Sequence, residues 1–177
     1  MTSITSKELA GFIFKSLLSG DSALQPLVFI GSSVENLDKA EAVQCALQHI
    51  CEPWVWHQGL FNINESAVDS LTRAIKEKSP DFAVFLVCGE DLTESRGIRY
   101  NSPRDNIIYE IGWFTGAIGK ERVFLIVDHL AAPKIPSDLT GIKTVEFKRP
   151  VRSTIEAALG PACSEIKKAI LKLGLKK

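Results

Sequence analysis

Apolar positions recur along this chain in two rhythms. Short, nearly unbroken apolar runs stand at Leu27–Ile30, Trp54–His57, Phe82–Val87 and Val123–Val127, bounded by Gly, Ser, Pro or charged residues. Runs of that length, rich in β-branched and aromatic residues, predict strands covered on both faces of a sheet. A weaker run at Lys143–Phe147 predicts an edge strand. Between them the spacing turns helical. Ala40, Val43, Leu47 and Ile50 predict a helix running from an Asn36 N-cap to about Ile50. Val68, Leu71 and Ile75 predict a second, opened by the capping-box-like Ser66-Ala67-Val68-Asp69 and closed at Ser79-Pro80. Ile107, Ile111, Phe114 and Ile118 predict a third over about Asp105–Ile118, with Asp105 or Asn106 as its N-cap and Gly119 as its stop. The last, Ile155–Leu173, is expected to break in two at Gly160-Pro161. Gly89 to Pro103 is expected to be a long polar loop.

Strands that alternate with helices imply right-handed βαβ units and a parallel sheet with helices on both faces. The expectation is an α/β fold with a five-stranded, flavodoxin-like strand order, 2-1-3-4-5. Ligands bind such sheets beyond the carboxyl ends of the strands, where the order reverses. That edge gathers Gly31-Ser32-Ser33, the loop from Trp56 to Asn64, the Gly89–Pro103 loop and the start of the third helix. Residues 1–26 read as an N-terminal amphipathic helix or linker (Leu9, Phe12, Ile13, Leu17), 27–150 as the folded domain, and 151–177 as a C-terminal helix packing on it or extending from it.

One position breaks the pattern of the third helix. Glu110 lies on the shoulder of its apolar stripe, one turn before Phe114. A carboxylate at the edge of a core loses hydration, which is costly unless a partner or a task accounts for it. The structural explanation is an ion pair with Arg104 or a capped neighbouring loop; the functional one is a catalytic acid group.

Composition narrows the classes. At 177 residues the chain is one ordinary domain, 45% hydrophobic and 24% charged. Lys+Arg and Asp+Glu are equal at 21, so no basic bias points to nucleic acid and no polybasic run to a membrane surface. No apolar run approaches the ~18 residues of a membrane span. The start lacks a secretory pattern, and Cys45, Cys51, Cys88 and Cys163 stand in largely apolar contexts and form no C-x-x-C pair, so reduced, buried cysteines, a cytoplasmic location and no metal site are expected.

Several segments together carry a resemblance: Val28-Phe29-Ile30-Gly31-Ser32-Ser33, Trp56-x-Gln58-Gly59-x-Phe61, Asp81-Phe82-Ala83-Val84-Phe85, Ser95-Arg96-Gly97, Gly119-Lys120-Glu121-Arg122-Val123-Phe124-Leu125 and Pro136-Ser137-Asp138-Leu139-x-Gly141. The most specific is Pro103-Arg104-Asp105-Asn106-Ile107-Ile108-Tyr109-Glu110-Ile111-Gly112. In this order the chain resembles the prokaryotic TIR-like family of predicted nucleotide-binding proteins, members of which are effectors in cyclic-oligonucleotide-triggered phage defence. The resemblance implies a TIR fold and cleavage of NAD⁺, as substrate and not as cofactor, at the nicotinamide–ribose bond, with Glu110 as the catalytic carboxylate. It also implies a homo-oligomer built through TIR–TIR contacts. Members are often fused to a sensor module; about 30 residues follow the last predicted strand, so the expectation is either a TIR part excised from a longer protein or a protein that relies on a separate cyclic-nucleotide sensor as partner.

The chemistry suits a single carboxylate. Nicotinamide leaves a cationic pyridinium as a neutral molecule, so no general acid is needed, and positive charge develops on the ribose as in glycoside hydrolysis. An ionised carboxylate beside that sugar favours the transition state over the ground state. For the rest of the substrate, Gly31, Ser32 and Ser33 offer N–H groups and hydroxyls to a pyrophosphate, or are an ordinary βα turn. Trp56 and Phe61 stack on a ring of the substrate, or Trp56 is strand core. Arg104 divides between a phosphate contact and a salt bridge, and Asn106 stands beside it. Asp91 and Ser95-Arg96 reach toward the ribose from the loop after the third strand. His57 and His129 end strands at this edge as spectators. Gly112 and Gly116, four apart, admit another backbone, from a second subunit or within the chain.

Two other classes fit the same pattern: a TIR module that scaffolds partners without turnover, and a nucleoside deoxyribosyltransferase-like enzyme with Glu as nucleophile. A redox dinucleotide enzyme is disfavoured because no G-x-G-x-x-G follows the first strand.

Overall fold

Each apolar run becomes a strand because a central parallel strand has no polar face to show to water. In the computed structural model, which describes residues 24–60, 65–149 and 151–176, β1 (Leu27–Gly31), β2 (Glu52–Val55), β3 (Phe82–Val87), β6 (Val123–Asp128) and β7 (Lys143–Phe147) form one sheet in the order β2-β1-β3-β6-β7. Every pairing in it is parallel, and β3 is buried along its whole length. This is the expected flavodoxin-like order, reversing between β1 and β3. The expected N-terminal helix and Phe61 lie outside the described residues.

Helices α1 (Leu37–Leu47) and α4 (Ile155–Leu173) cover one face, burying Ala40, Val43, Leu47, Ile166 and Ile170 against Val28, Ile30, Val84 and Leu86. Helices α2 (Ala67–Lys78) and α3 (Asp105–Ile118) cover the other, with Leu71, Ala74, Ile107, Ile111 and Phe114 on Phe29, Ala83, Phe85 and Val87.

Several expectations need correction. β2 spans Glu52–Val55 and not Trp54–His57, because Gln58 turns the chain back: its N–H bonds the Val55 carbonyl at 2.9 Å and its side chain accepts from the Val55 N–H at 3.2 Å. Pro53 is tolerated since β2 is an edge strand. Helix α1 stops at Leu47, and a 3-10 turn at Val34–Asn36 precedes it. Asn36 makes no side-chain cap. Ser66 does cap α2, accepting from Asp69 N–H at 3.1 Å while its hydroxyl donates to the Asp69 carboxylate at 2.6 Å. Val68, expected inward, is 41% exposed, and Ala74 takes the buried place.

The third helix begins after Arg104, which occupies the N-cap position without a capping side chain; Asp105 is the first helical residue, where its charge favours the dipole. Neither Asp105 nor Asn106 is the cap. Helix α4 runs unbroken through Gly160-Pro161. The carbonyl that Pro161 leaves unpaired belongs to Ala157, which is exposed to water, while Ala158, Leu159, Ala162 and Cys163 hold the helix down.

The largest difference is at Gly89–Pro103. Instead of a loop, β4 (Asp91–Ser95) and β5 (Ile98–Ser102) pair antiparallel into a hairpin. Its two-residue turn has positive φ at both Arg96 (55°) and Gly97 (75°), the backbone that matches the twist of a tight hairpin. The hairpin is tied to the chain after β6 by Asn101 Nδ2 to the Ala131 carbonyl, 2.7 Å, and Lys134 N–H to the Asn101 carbonyl, 2.8 Å.

Candidate active site at the carboxyl edge of the sheet

β1 ends on Gly31, whose register partner on β3 is Phe85. A Cβ at Gly31 would lie 2.5 Å from the Phe85 ring, so only glycine lets the two strands stay paired here. Phe114 on α3 stacks on Phe29 with ring centroids 4.4 Å apart and meets Phe85 edge-on at 5.6 Å. These contacts set the height of α3. Glu110 is four residues nearer the carboxyl edge than Phe114, about 6 Å along the helix. Gly31 is two residues nearer than Phe29, about 6.6 Å along the strand. Glu110 is therefore level with Gly31, at the ligand edge.

The carboxylate there is half-buried. Burial raises its pKa from 4.5 to about 7, with no charged neighbour contributing. The ion pair with Arg104 does not form: Arg104 Nη2 bonds Glu35 Oε1 instead. Among the described residues Glu110 has no hydrogen-bond or ion-pair partner. Asn106 lies one turn before it and is exposed. Tyr109 and Trp113 meet on the adjoining surface with centroids 5.4 Å apart.

Beyond Gly31 the hydroxyls are already engaged. Ser32 is 5% and Ser33 3% exposed. Ser32 Oγ accepts from Trp56 Nε1 at 3.0 Å and keeps its own proton. Ser33 Oγ donates to Glu90 Oε1 at 2.7 Å and accepts from Asn36 Nδ2 at 2.8 Å, so its proton is spent. Asn36 Nδ2 also reaches Glu90 Oε1, and Lys39 Nζ bonds Asn36 Oδ1. Glu90 follows β3 directly across the switch point. Sequence reasoning misses it, although one signal is present: it is the first carboxylate after a wholly apolar strand.

Trp56 is half-buried and packs against both faces of the core, which places it at the rim of the edge. Asp91 and Arg96 belong to the exposed hairpin, Asp91 at its base opposite Ser102 and Arg96 in its turn. His57 Nε2 lies 3.8 Å from Glu41, and His129 Nδ1 2.8 Å from Glu146. Gly112 and Gly116 are exposed, and a Cβ at either would meet no atom within 4 Å, so no contact among the described residues uses them.

A groove of about 430 Å³ opens on the other flank of α3, lined by Thr93, Tyr100, Asp105, Ile108, Lys134 and Asp138 among others. It includes neither Glu110 nor Gly31–Ser33. Three of the four cysteines are buried as expected, and burial pushes the thiols of Cys51 and Cys88 up to about 12 and that of Cys163 to about 11; Cys45, expected to be buried, is exposed on α1. Among the described residues no group of three or more His, Cys, Asp or Glu could hold a metal ion, and no helix is long and apolar enough to cross a membrane.

Residues 27–149 match the family model described as CAP12/Pycsar effector protein, TIR domain. The chain is 34% identical over 150 residues to the Pycsar effector protein BcPycTIR of Burkholderia cepacia, covering 83% of this chain and 48% of that protein. It is 34% identical over 153 residues to the Pycsar effector protein PaPycTIR of Pseudomonas aeruginosa, covering 84% and 48%. With CD-NTase-associated protein 12 of Flavobacterium daejeonense it shares 34% over 144 residues, covering 81% and 45%. The chain thus spans about half the length of these relatives.

Proposed function

Because the chain belongs to the CAP12/Pycsar effector TIR-domain family, we propose that it cleaves NAD⁺ at the nicotinamide–ribose bond and serves as an effector in a cyclic-nucleotide-triggered anti-phage system. The observation that carries this reading is Glu110: a half-buried carboxylate without a partner among the described residues, level with Gly31, whose pKa burial raises to about 7. Such a group is costly to keep and gives nothing to the fold. Substrate carrying a cationic nicotinamide ring and a ribose that becomes cationic supplies the missing partner.

The steps follow from charge. As the bond from ribose C1′ to the nicotinamide nitrogen breaks, its electron pair leaves with the nicotinamide. The ribose becomes oxocarbenium-like, and the ionised Glu110 carboxylate stabilises it more than the ground state. Water adds to C1′ and loses a proton, giving ADP-ribose; attack by a group of the same molecule would give a cyclised product instead. We assign Trp56, at the rim of the same edge, and Asn106, one turn before Glu110, as substrate contacts, and Ser32 retains a hydroxyl proton for donation. Assembly through TIR–TIR contacts and control by a separate cyclic-nucleotide sensor belong to the same proposal.

The test is product analysis after incubation with NAD⁺ at low and high protein concentration. Nicotinamide release that Glu110→Gln abolishes in a folded protein is the expected result. Equal release by wild type and variant would overturn the assignment, and no release at any concentration would favour a scaffold without turnover.

A further inference from the structure

The switch point between β1 and β3, where a doubly wound sheet receives its ligand, is bridged in this structure by the chain's own carboxylates. One bridge runs from Ser33 and Asn36, after β1, to Glu90, after β3. The other runs from Glu35, in the turn after β1, to Arg104, at the start of α3. Together they cross the crevice from one wall to the other.

Both bridges are incomplete. Arg104 engages Glu35 through Nη2, while its Nε is buried with no partner among the described residues. A guanidinium fork that grips an oxyanion well uses two parallel N–H groups. Among the described residues Glu90 receives both of its donors on Oε1, and Oε2 is buried with none. An unmade donor thus stands on one bridge and an unmade acceptor on the other, and both are costly when shielded from water. The donors along the crevice, Arg104, Lys39 and Asn36, are those that bind anions. Lys39 Nζ bonds Asn36 Oδ1 and also lies 3.9 Å from Asp38, so this cation too is held by groups of the chain.

We propose that Glu35 and Glu90 are internal counter-ions that latch the crevice by occupying an anion subsite formed by Arg104, Lys39 and Asn36, and that a diphosphate enters by displacing them. This rests on reading the edge as a dinucleotide site. A phosphate brings several acceptor oxygens and can engage Arg104 Nε and Nη2 together, which the single Glu35 contact does not. Glu35 is the side of the latch that yields first, because the pair is half exposed, at 49% for Glu35 and 42% for Arg104. It also has the shorter way to water.

Calorimetric titration of the full chain with inorganic pyrophosphate and with ADP-ribose tests the latch without turnover. Glu35→Gln is expected to tighten both by about three- to five-fold, the range an exposed ion pair allows. Arg104→Gln is expected to weaken both and to cancel the gain from Glu35→Gln when the two are combined. Glu41→Gln, an exposed carboxylate on α1 outside the crevice, controls for the loss of one negative charge and is expected to leave affinity unchanged. An equal gain from Glu41→Gln, an equal gain in the Arg104→Gln background, or no pyrophosphate binding by wild type and Glu35→Gln would each overturn the proposal. The two readings separate cleanly. Arg104-dependent tightening without nicotinamide release would uphold the latch and sink the glycohydrolase; nicotinamide release with pyrophosphate affinity indifferent to Glu35 would do the reverse.

Discussion

The ring of Phe114 lies almost flat on that of Phe29, with centroids 4.4 Å apart and 15° between the planes. Both are fully buried, and the pair ties helix α3 to strand β1. Because Glu110 stands one turn above Phe114, the stack acts as a spacer that sets how far the carboxylate projects toward the ligand edge. Phe114→Leu keeps the site apolar but loses the aromatic contact, about 0.5–1.5 kcal/mol, together with some packing. The expected outcome is a folded protein of lower denaturant midpoint in which nicotinamide release falls through kcat more than KM. A variant that is destabilised but turns over normally would show that Glu110 does not depend on the stack.

Glu110 should be a cost to the fold, and the sign of that cost can be checked. Its carboxyl titrates at about 7 in the folded protein against 4.5 without burial. Below about pH 4.5 it is protonated in both states and has no effect on stability. Between the two values the folded state holds a proton that the unfolded state has released, so stability falls as pH rises. Above about 7 the penalty is fully present. Glu110→Gln is therefore expected to raise the melting temperature at pH 8 and to leave it unchanged at pH 4. For a half-buried group the gain is of order 1–3 kcal/mol, the upper end assuming little solvent screening. Thermal melts at the two pH values decide it, and a destabilised variant at pH 8 would mean that Glu110 has a partner after all.

The same titration predicts a rate profile. Stabilising a cationic sugar requires the ionised carboxylate, so kcat/KM is expected to rise about tenfold per pH unit below 7 and level off above it. Bound substrate adds positive charge beside the group and favours ionisation. The kcat profile should accordingly break at lower pH than the kcat/KM profile. A flat kcat/KM between pH 5.5 and 8 would count against Glu110 as the essential base form.

The sheet is legible because its strands leave no choice: Phe82–Val87 is buried at every position, and a run of that kind has one kind of place in an α/β fold. The β4–β5 hairpin is not. Its side chains are polar or exposed, with Leu92 and Ile98 both 67% exposed, so neither face carries the burial that hydrophobic alternation reports. What holds it is the turn at Arg96-Gly97 and cross-strand pairing. The unbroken α4 escapes the sequence for a related reason, since Pro161 weighs locally while four buried neighbours on α4 decide the outcome. Glu110 stands out because it interrupts a local pattern. Glu90 does not, because its partners Ser33 and Asn36 are 57 and 54 residues away, and no local rhythm encodes such a contact.

Gly31 offers a test of why the edge begins with glycine. The residue lies opposite Phe85 in the β1–β3 register, and the Phe85 ring fills the space where a Cβ would stand, at 2.5 Å. Phe85 cannot swing away easily, since Phe29 and Phe114 touch it from two sides, at 5.8 and 5.6 Å between centroids. Gly31→Ala is therefore expected to destabilise the protein by about 1–3 kcal/mol, the usual cost of overpacking a tight core. Phe85→Leu, which removes the ring, is expected to relieve part of that cost when combined with Gly31→Ala, giving a coupling that urea denaturation of both single variants and the double can measure. Strict additivity would show that the glycine serves the backbone or a ligand and not the Phe85 contact. If the stack is what aligns Glu110, the double variant should recover stability more fully than nicotinamide release, because the shorter aliphatic side chain would fill the space without holding Phe114 edge-on.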